Sequence, residues 1–293
     1  MPSSKKPSAG SAPSGFGWEN PLIPHPRLQQ IYVALLEARL LNAAIKRSRL
    51  PLRKTILTGH EACIAASALQ LTSADWIAPA TGDAIARSLH HQPLADVLRI
   101  FGAPSSIAPA NIIAPAGLAY QDWAVANGVA LAANVAASAE RSVVLAYSGP
   151  RSHLSMACLN PLGYAAKHNL PIVFVSFAGL NGPIIAPELP AFAQASGVPA
   201  FPVDGNDPVA VYRVAQESIL RARTGGGPSF IDCRTFIDGS KKPQDPLRFM
   251  EKYLDRKGLF SPAWKASLER NYTRTLDKAM LTACKPASTK RKR

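Results

Sequence analysis

Two neighbouring strings, Tyr147-Ser-Gly-Pro-Arg-Ser-His-Leu-Ser155 and Leu170-Pro-Ile-Val-Phe-Val175, carry most of the information in this chain. The first closes a β-branched run over residues 142–148, turns at Gly149 and Pro150, and enters a helical pattern over 154–168. The second opens an apolar strand over 170–177. Neither strand pattern alternates polar with apolar residues. Such runs suit strands covered on both faces, which is the situation in a parallel sheet with crossover helices.

The same alternation extends outward. Short strands are predicted at 75–80, 199–203 and 228–236. Helices are predicted over 28–50, stopped by Pro51, and over 59–71, 84–91, 94–101, 123–137 and 189–196. Asp207 is placed to cap a helix that runs to Arg223 and ends at Gly225-Gly226-Gly227. Two more helices, 246–256 and 261–282, close the body. The Ala/Val-rich segment 123–137 has few polar residues and is predicted to be buried. Strands separated by helices give an α/β protein, with a parallel sheet and helices on both faces. Ligands in such sheets sit beyond the carboxyl ends of the strands, so the loops after Ser148 and Phe177 are the places to look for a site.

Composition narrows the classes. A 47% hydrophobic content over 293 residues supports a sizeable core. Residues 1–20, rich in Ser, Pro, Gly and Lys, read as a disordered tail, residues 21–284 as one domain, and residues 285–293 as a basic tail. The net charge is +14. The last nine residues hold five of these charges, residues 1–20 a net one, and the other eight lie on the body. Basic charge attracts anions, whether diphosphates, nucleic acid or an acidic partner. Cys63, Cys158, Cys233 and Cys284 form no paired motif, which argues against a zinc site or a disulfide framework and fits a reducing, cytoplasmic setting. No apolar run reaches the length of a membrane span, and no signal or transit pattern opens the chain.

Several strings share one order with a known family. They are Leu35-Leu-Glu-Ala-Arg-Leu-Leu41 in the opening helix, Gly59-His-Glu-Ala62, Val203-Asp-Gly-Asn-Asp207, Gly226-Gly-Pro228, and Asp245-Pro-Leu-Arg-Phe249 followed by Leu254-Asp-Arg-Lys-Gly-Leu259. Over residues 28–265 the chain resembles the alpha subunit of the thiamin-diphosphate-dependent 2-oxoacid dehydrogenases of the pyruvate and branched-chain types. The resemblance implies a thiamin-diphosphate-binding fold. It also implies thiamin diphosphate as cofactor, Mg²⁺ as its bridge, and assembly as a homodimer or with a beta-type subunit.

The family's metal motif is G-D-G at a strand end, with an Asn after the next strand. Magnesium needs oxygen ligands in fixed geometry, and the diphosphate needs its charge neutralised. Here Gly149 stands at the first Gly, Pro150 at the Asp, Arg151 at the second Gly, and Ala178-Gly179 at the Asn pair; Asn181 falls late. The family's Y-R-D-H string becomes Thr81-Gly-Asp-Ala84, where Asp83 alone survives. Residues 237–244 replace its long His-bearing loop. No metal ligand and no catalytic residue is assigned. Asp83, Gly149, Arg151 and His153 are the candidate cofactor-binding remnants or replacements, with Lys167 as a further cation near the same loop. The sequence thus reads as an alpha-type chain with an eroded cofactor site, non-catalytic by itself and serving assembly or regulation. Two alternatives stand beside it: an active 2-oxoacid dehydrogenase component with a beta-type partner, and a basic binding protein for nucleic acid or an acidic partner.

Overall fold

A computed structural model describes residues 23–48, 59–80, 83–102, 111–114, 119–136, 141–148, 159–177, 189–235 and 245–284. Both predicted tails and residues 237–244 lie outside them. The elements, in chain order, are α1 (His25–Arg47), α2 (Glu61–Ala68), β1 (Trp76–Ala78), α3 (Ile85–Leu89), α4 (Leu94–Gly102) and α5 (Ala119–Val135). There follow β2 (Val144–Tyr147), α6 (Leu159–Lys167), β3 (Ile172–Phe177), α7 (Leu189–Ala195), β4 (Ala200–Asp204), α8 (Pro208–Arg223), β5 (Ser229–Arg234), α9 (Pro246–Asp255) and α10 (Pro262–Ala283).

The five strands form one sheet in the order β1-β2-β3-β5-β4, with every pair parallel. Ile112 adds one further parallel bridge to Ile77 at the β1 edge. The strand period of two sorts the side chains between two cores. Leu145, Tyr147, Val173, Val175, Phe177, Ile231 and Cys233 pack with α1, α2, α8 and α9. Val144, Ala146, Ile172, Phe174 and Phe230 pack with α5, α6 and α7. A third cluster joins α1, α4 and α10 through Leu41, Ile45, Val97, Leu98 and Leu276.

Right-handed crossovers account for this division. From β1 to β4 the chain steps one way across the sheet, and α5, α6 and α7 fall on one face. The return from β4 to β5 reverses direction and puts α8 on the other. The connections therefore diverge beyond the carboxyl ends of β3 and β5, where an open α/β sheet forms its crevice.

Local signals set most element ends. The Asp207 carboxylate accepts from the amides of Val209 and Ala210 and caps α8. Asp245 caps α9 through the Leu247 amide, and Ser261 caps α10 through that of Trp264. Gly205 has a steric reason: a Cβ there would lie 2.8 Å from Cys63 Sγ and 2.9 Å from Thr235 Cγ2. Two expectations need correction. α5 is not buried all round, because Val125 and Val135 are 47% and 75% exposed. β4 is not covered on both faces either. It is the edge strand, with Phe201 and Pro202 exposed, and a proline is tolerated there because the outer edge donates no ladder bond.

At the opposite, amino end of the sheet lies the main polar contact of the fold. The Asp75 side chain is fully buried. It accepts from the Val143 amide at 2.8 Å, from the Thr72 amide and hydroxyl at 2.7 and 2.9 Å, and from both Arg223 Nη atoms at 2.9 and 2.7 Å. Burial pushes its pKa up, but Arg223 and the two amides outweigh burial and hold it below the usual carboxylate value. Removing one partner of such a pair strands a buried charge. Arg223→Met is expected to cost about 3–5 kcal/mol in urea unfolding. A loss under about 1 kcal/mol would show that the pair is dispensable.

Candidate functional site

The loop after β2 and the loop after β3 were the predicted places for a site. Gly149, Pro150, Arg151, His153, Ala178, Gly179 and Asn181 all lie outside the described residues. What the structure places is the floor beneath them, the carboxyl ends of β2, β3 and β5 on both faces of the sheet.

On the face shared with α2, the floor is aromatic and nearly charge-free. Gly59-His-Glu-Ala62 folds as the entry to α2, with the Gly59 amide donating to Glu61 Oε2 at 2.8 Å. Asn42 Nδ2 donates to Glu61 Oε1 at 3.4 Å. This turn directs His60 inward, where it stacks on Phe177 with ring centroids 4.7 Å apart. Tyr147, at the end of β2, lies 6.2 Å from the same ring. Its hydroxyl shares a 2.7 Å hydrogen bond with Ser67 and donates to the Ile64 carbonyl at 3.3 Å. Burial pushes the phenol well above its ordinary pKa, so it stays neutral. Cys63 and Cys233 are both buried on this face, and the Cys63 contact together with burial pushes the Cys233 thiol up, which keeps it protonated.

Asp83, the surviving residue of the Y-R-D-H string, is buried beside α3. Its Oδ1 accepts from the Ala86 amide at 2.9 Å, while Oδ2 has no hydrogen-bond partner. Burial raises its pKa to about 6, against the lowering pull of the Ala86 amide and Arg87. Burial likewise lowers His60 to about 4, and its Nδ1 has no partner. Arg87 is itself buried and donates to Gln92 Oε1 at 3.4 Å. His90 ends α3, with Nε2 3.0 Å from the Asp75 carbonyl, so the His90-His91 pair is a helix end and not a ligand pair. Lys167 sits in the last turn of α6, where the helix dipole favours a cation.

The other face carries a polar group that no sequence motif announced. Ser176 at the end of β3 donates to Asp232 Oδ1 at 3.1 Å, and Arg234 Nε donates to Asp232 Oδ2 at 3.0 Å. Asp204, the register partner of Arg234 on β4, accepts from the Asn206 amide in its own turn. These carboxylates are engaged within the chain.

This floor does not fit a magnesium–diphosphate site. Proline and alanine at 150 and 178 offer no side-chain oxygen to a cation. The described aromatic layer has a neutral phenol and a neutral imidazole, and its Asp83 carboxyl, with a pKa of about 6, is largely anionic at neutral pH, so the layer offers no positive charge to set against a diphosphate. Among the described residues no three His, Cys, Asp or Glu side chains converge as a metal site.

The two orphaned buried groups give the fold opposite pH dependences. Asp83 has a folded pKa above its ordinary 3.8, so the folded state binds its proton more tightly. Its contribution falls as pH rises from about 4 to about 6, by an amount on the order of 3 kcal/mol. Asp83→Asn keeps the acceptor for the Ala86 amide and removes the charge. The variant is expected to melt several degrees above the parent at pH 7.5 and to lose that advantage near pH 4.5. A lower melting temperature at pH 7.5 would show that the charge is needed. His60 has a folded pKa below 6.5, so its contribution falls as pH drops from about 6.5 to about 4. His60→Phe is expected to flatten the acid limb of the melting profile, and an unchanged limb would contradict this.

With this geometry in place, comparison with known proteins is informative. Residues 36–246 match the family described as the dehydrogenase E1 component. The chain is 34% identical over 131 residues to the alpha subunit of acetoin:2,6-dichlorophenolindophenol oxidoreductase of Bacillus subtilis, covering 41% of this chain and 39% of that one. It is 26% identical over 234 residues to the alpha subunit of the pyruvate dehydrogenase E1 component of Staphylococcus aureus strain Mu50, covering 69% and 62%. With the chloroplastic alpha-3 subunit of the Arabidopsis thaliana pyruvate dehydrogenase E1 component it shares 30% identity over 151 residues, covering 42% and 34%. The matched region thus spans from about a third to about three fifths of these relatives. The match to the family extends over more than half of the chain and includes all five strands, so this protein belongs to the dehydrogenase E1 component family, as a divergent chain similar to its alpha subunits.

Proposed function

We propose that this chain is a non-catalytic alpha-type subunit that keeps the family's assembly role and has lost the cofactor's metal site. The observation that carries the reading is the donor set. Pro150 and Ala178 stand where a diphosphate-bridging cation needs oxygen, and the described floor is aromatic. Fold does not specify activity, because chemistry resides in the site. Thiamin diphosphate is the cofactor of the resembled family. No binding geometry for it follows from the residues of this chain, and Gly149, Arg151, His153 and Asp83 are at most remnants of a cradle.

Assembly is supported by α5. Ala126 and Ala130 pack inward against the Trp123 and Phe174 cluster. Ala124, Val125, Gly128, Ala132 and Val135 form the opposite, exposed face. A Cβ at Gly128 would meet nothing within 4 Å, so another helix has room to approach closely. Water-exposed apolar surface at helical spacing is costly in a lone chain and favourable in a subunit. The partner is a second copy or a beta-type chain, through a largely apolar interface on the order of 2,000 Å² or more. Among the described residues no helix is long and apolar enough to cross a membrane.

Two experiments test this reading. Light scattering of the chain, alone and co-expressed with a beta-type partner, is expected to give at least a dimer mass, and a monomer mass in both cases would overturn the assembly role. The double substitution Pro150→Asp with Ala178→Asn is not expected to restore 2-oxoacid decarboxylation, because the Arg of the Y-R-D-H string is also replaced, by Gly82. Turnover by that variant, or by the parent complex, would favour an active dehydrogenase component instead.

A further inference from the structure

α9 carries an unneutralised line of cations on the face of the sheet opposite α5. Arg248, Lys252 and Arg256 follow one another at i, i+4 and i+8, and all three are exposed. Each step advances about 6 Å along the helix axis, so the three charges span about 12 Å. Like charges at this spacing oppose helix formation. The acids that might relieve them are engaged elsewhere. Asp245 holds Arg39 through two hydrogen bonds of 2.9 and 2.8 Å and reaches Arg248 only at 4.0 Å. Glu251 points to Lys265 at 2.7 Å. Neither Lys252 nor Arg256 has a salt-bridge partner among the described residues, and Asp255 is the one remaining exposed acid on the helix.

The line borders a groove of about 520 Å³, lined by Asp245, Arg248, Phe249, Lys252, Asp255 and Arg256. Phe249 stacks on Tyr253 with ring planes 10° apart, and Arg256 lies 6.0 Å from the Tyr253 ring centroid. The groove therefore offers cations at regular intervals beside an aromatic face. An extended peptide presents side chains of one face about every 6.6–7 Å, close to the spacing of the cations. A short line of three cations with an apolar wall suits a peptide of mixed acidic and apolar side chains. It is too short to follow a nucleic-acid backbone, which needs a longer basic track.

We propose that the α9 groove is a docking surface for an acidic, partly apolar segment of a partner protein. The proposal is independent of the cofactor site and of assembly through α5. It is tested on the full chain with a fluorescein-labelled 12-residue peptide of repeating Glu-Glu-Leu, by anisotropy at about 50 mM salt. The parent is expected to bind, and the triple variant Arg248→Glu, Lys252→Glu, Arg256→Glu to bind at least tenfold more weakly with an unchanged melting temperature. The control reverses the exposed line Arg270, Arg274 and Lys278 on α10, which repeats the spacing on a helix that does not line this groove, and is expected to stay within about twofold of the parent. Both variants keep the basic tail, so its contribution is constant. Equal binding by parent and α9 variant would overturn the proposal, as would an equal loss in the α10 variant, which would mean diffuse attraction. Tighter binding of a 12-nucleotide oligothymidylate than of the peptide, lost in the α9 variant, would overturn it in favour of nucleic acid.

Discussion

A carboxylate without access to water holds the amino end of this sheet together. Asp75 immediately precedes β1, a strand of three residues at the edge, and an edge strand this short has little ladder to keep it in place. Its side chain accepts from the Val143 amide, just before β2, and from Arg223 at the end of α8, 148 residues away in sequence. His90 Nε2 meets its carbonyl, which ties α3 to the same point. β1 leads directly to Asp83, α3 and α4, and α4 is where α10 docks. α10 also packs on α1 through Leu41 and Ile45, so the ion pair supports one of its two seats. The charged groups on the fold's exterior are worth far less, because water and salt screen them.

At the other end of the sheet the same economy of polar groups has a different result. At the carboxyl ends of β2 and β3 the described side chains pair with one another or stack, and His60 Nδ1 and Asp83 Oδ2, without partners among the described residues, lie in surroundings that favour their neutral forms. A site for a charged cofactor needs fixed charge and oxygen ligands, and this floor has aromatic packing where those would be useful. The family's frame has been kept because the sheet and its crossovers bury both faces regardless of what the loops carry. The chemistry is separable from the frame, and the proposed reading is that here the two have parted.

Much of the architecture was legible in the sequence. The uninterrupted apolar runs at 142–148 and 170–177 identified doubly covered parallel strands, and Asp207 announced the cap of α8 through a side chain with only local partners. The strand order was not legible, because nothing local indicates that β5 inserts between β3 and β4. Nor did composition reveal the exposed side of α5, since alanine and glycine suit a core and a subunit contact equally well. The sequence presents the site as a set of substitutions, Pro150 and Ala178 above all, which lie outside the described residues. The site's physical floor was not legible. The His60–Phe177 stack, the Ser176–Asp232–Arg234 group and the Asp75–Arg223 pair join residues far apart in sequence, and no spacing rule signals them. Glu61 is the intermediate case: its string matched the family, and its bond to the Gly59 amide gives that string a structural reason.

The central claim is that the frame persists without the cofactor chemistry. The most direct test is isothermal titration of thiamin diphosphate with Mg²⁺ into the chain, alone and in complex with a beta-type partner. The account predicts no binding heat that depends on Mg²⁺ in either case. A saturable, magnesium-dependent isotherm with a dissociation constant in the micromolar range, about −8 kcal/mol of binding free energy, would contradict it.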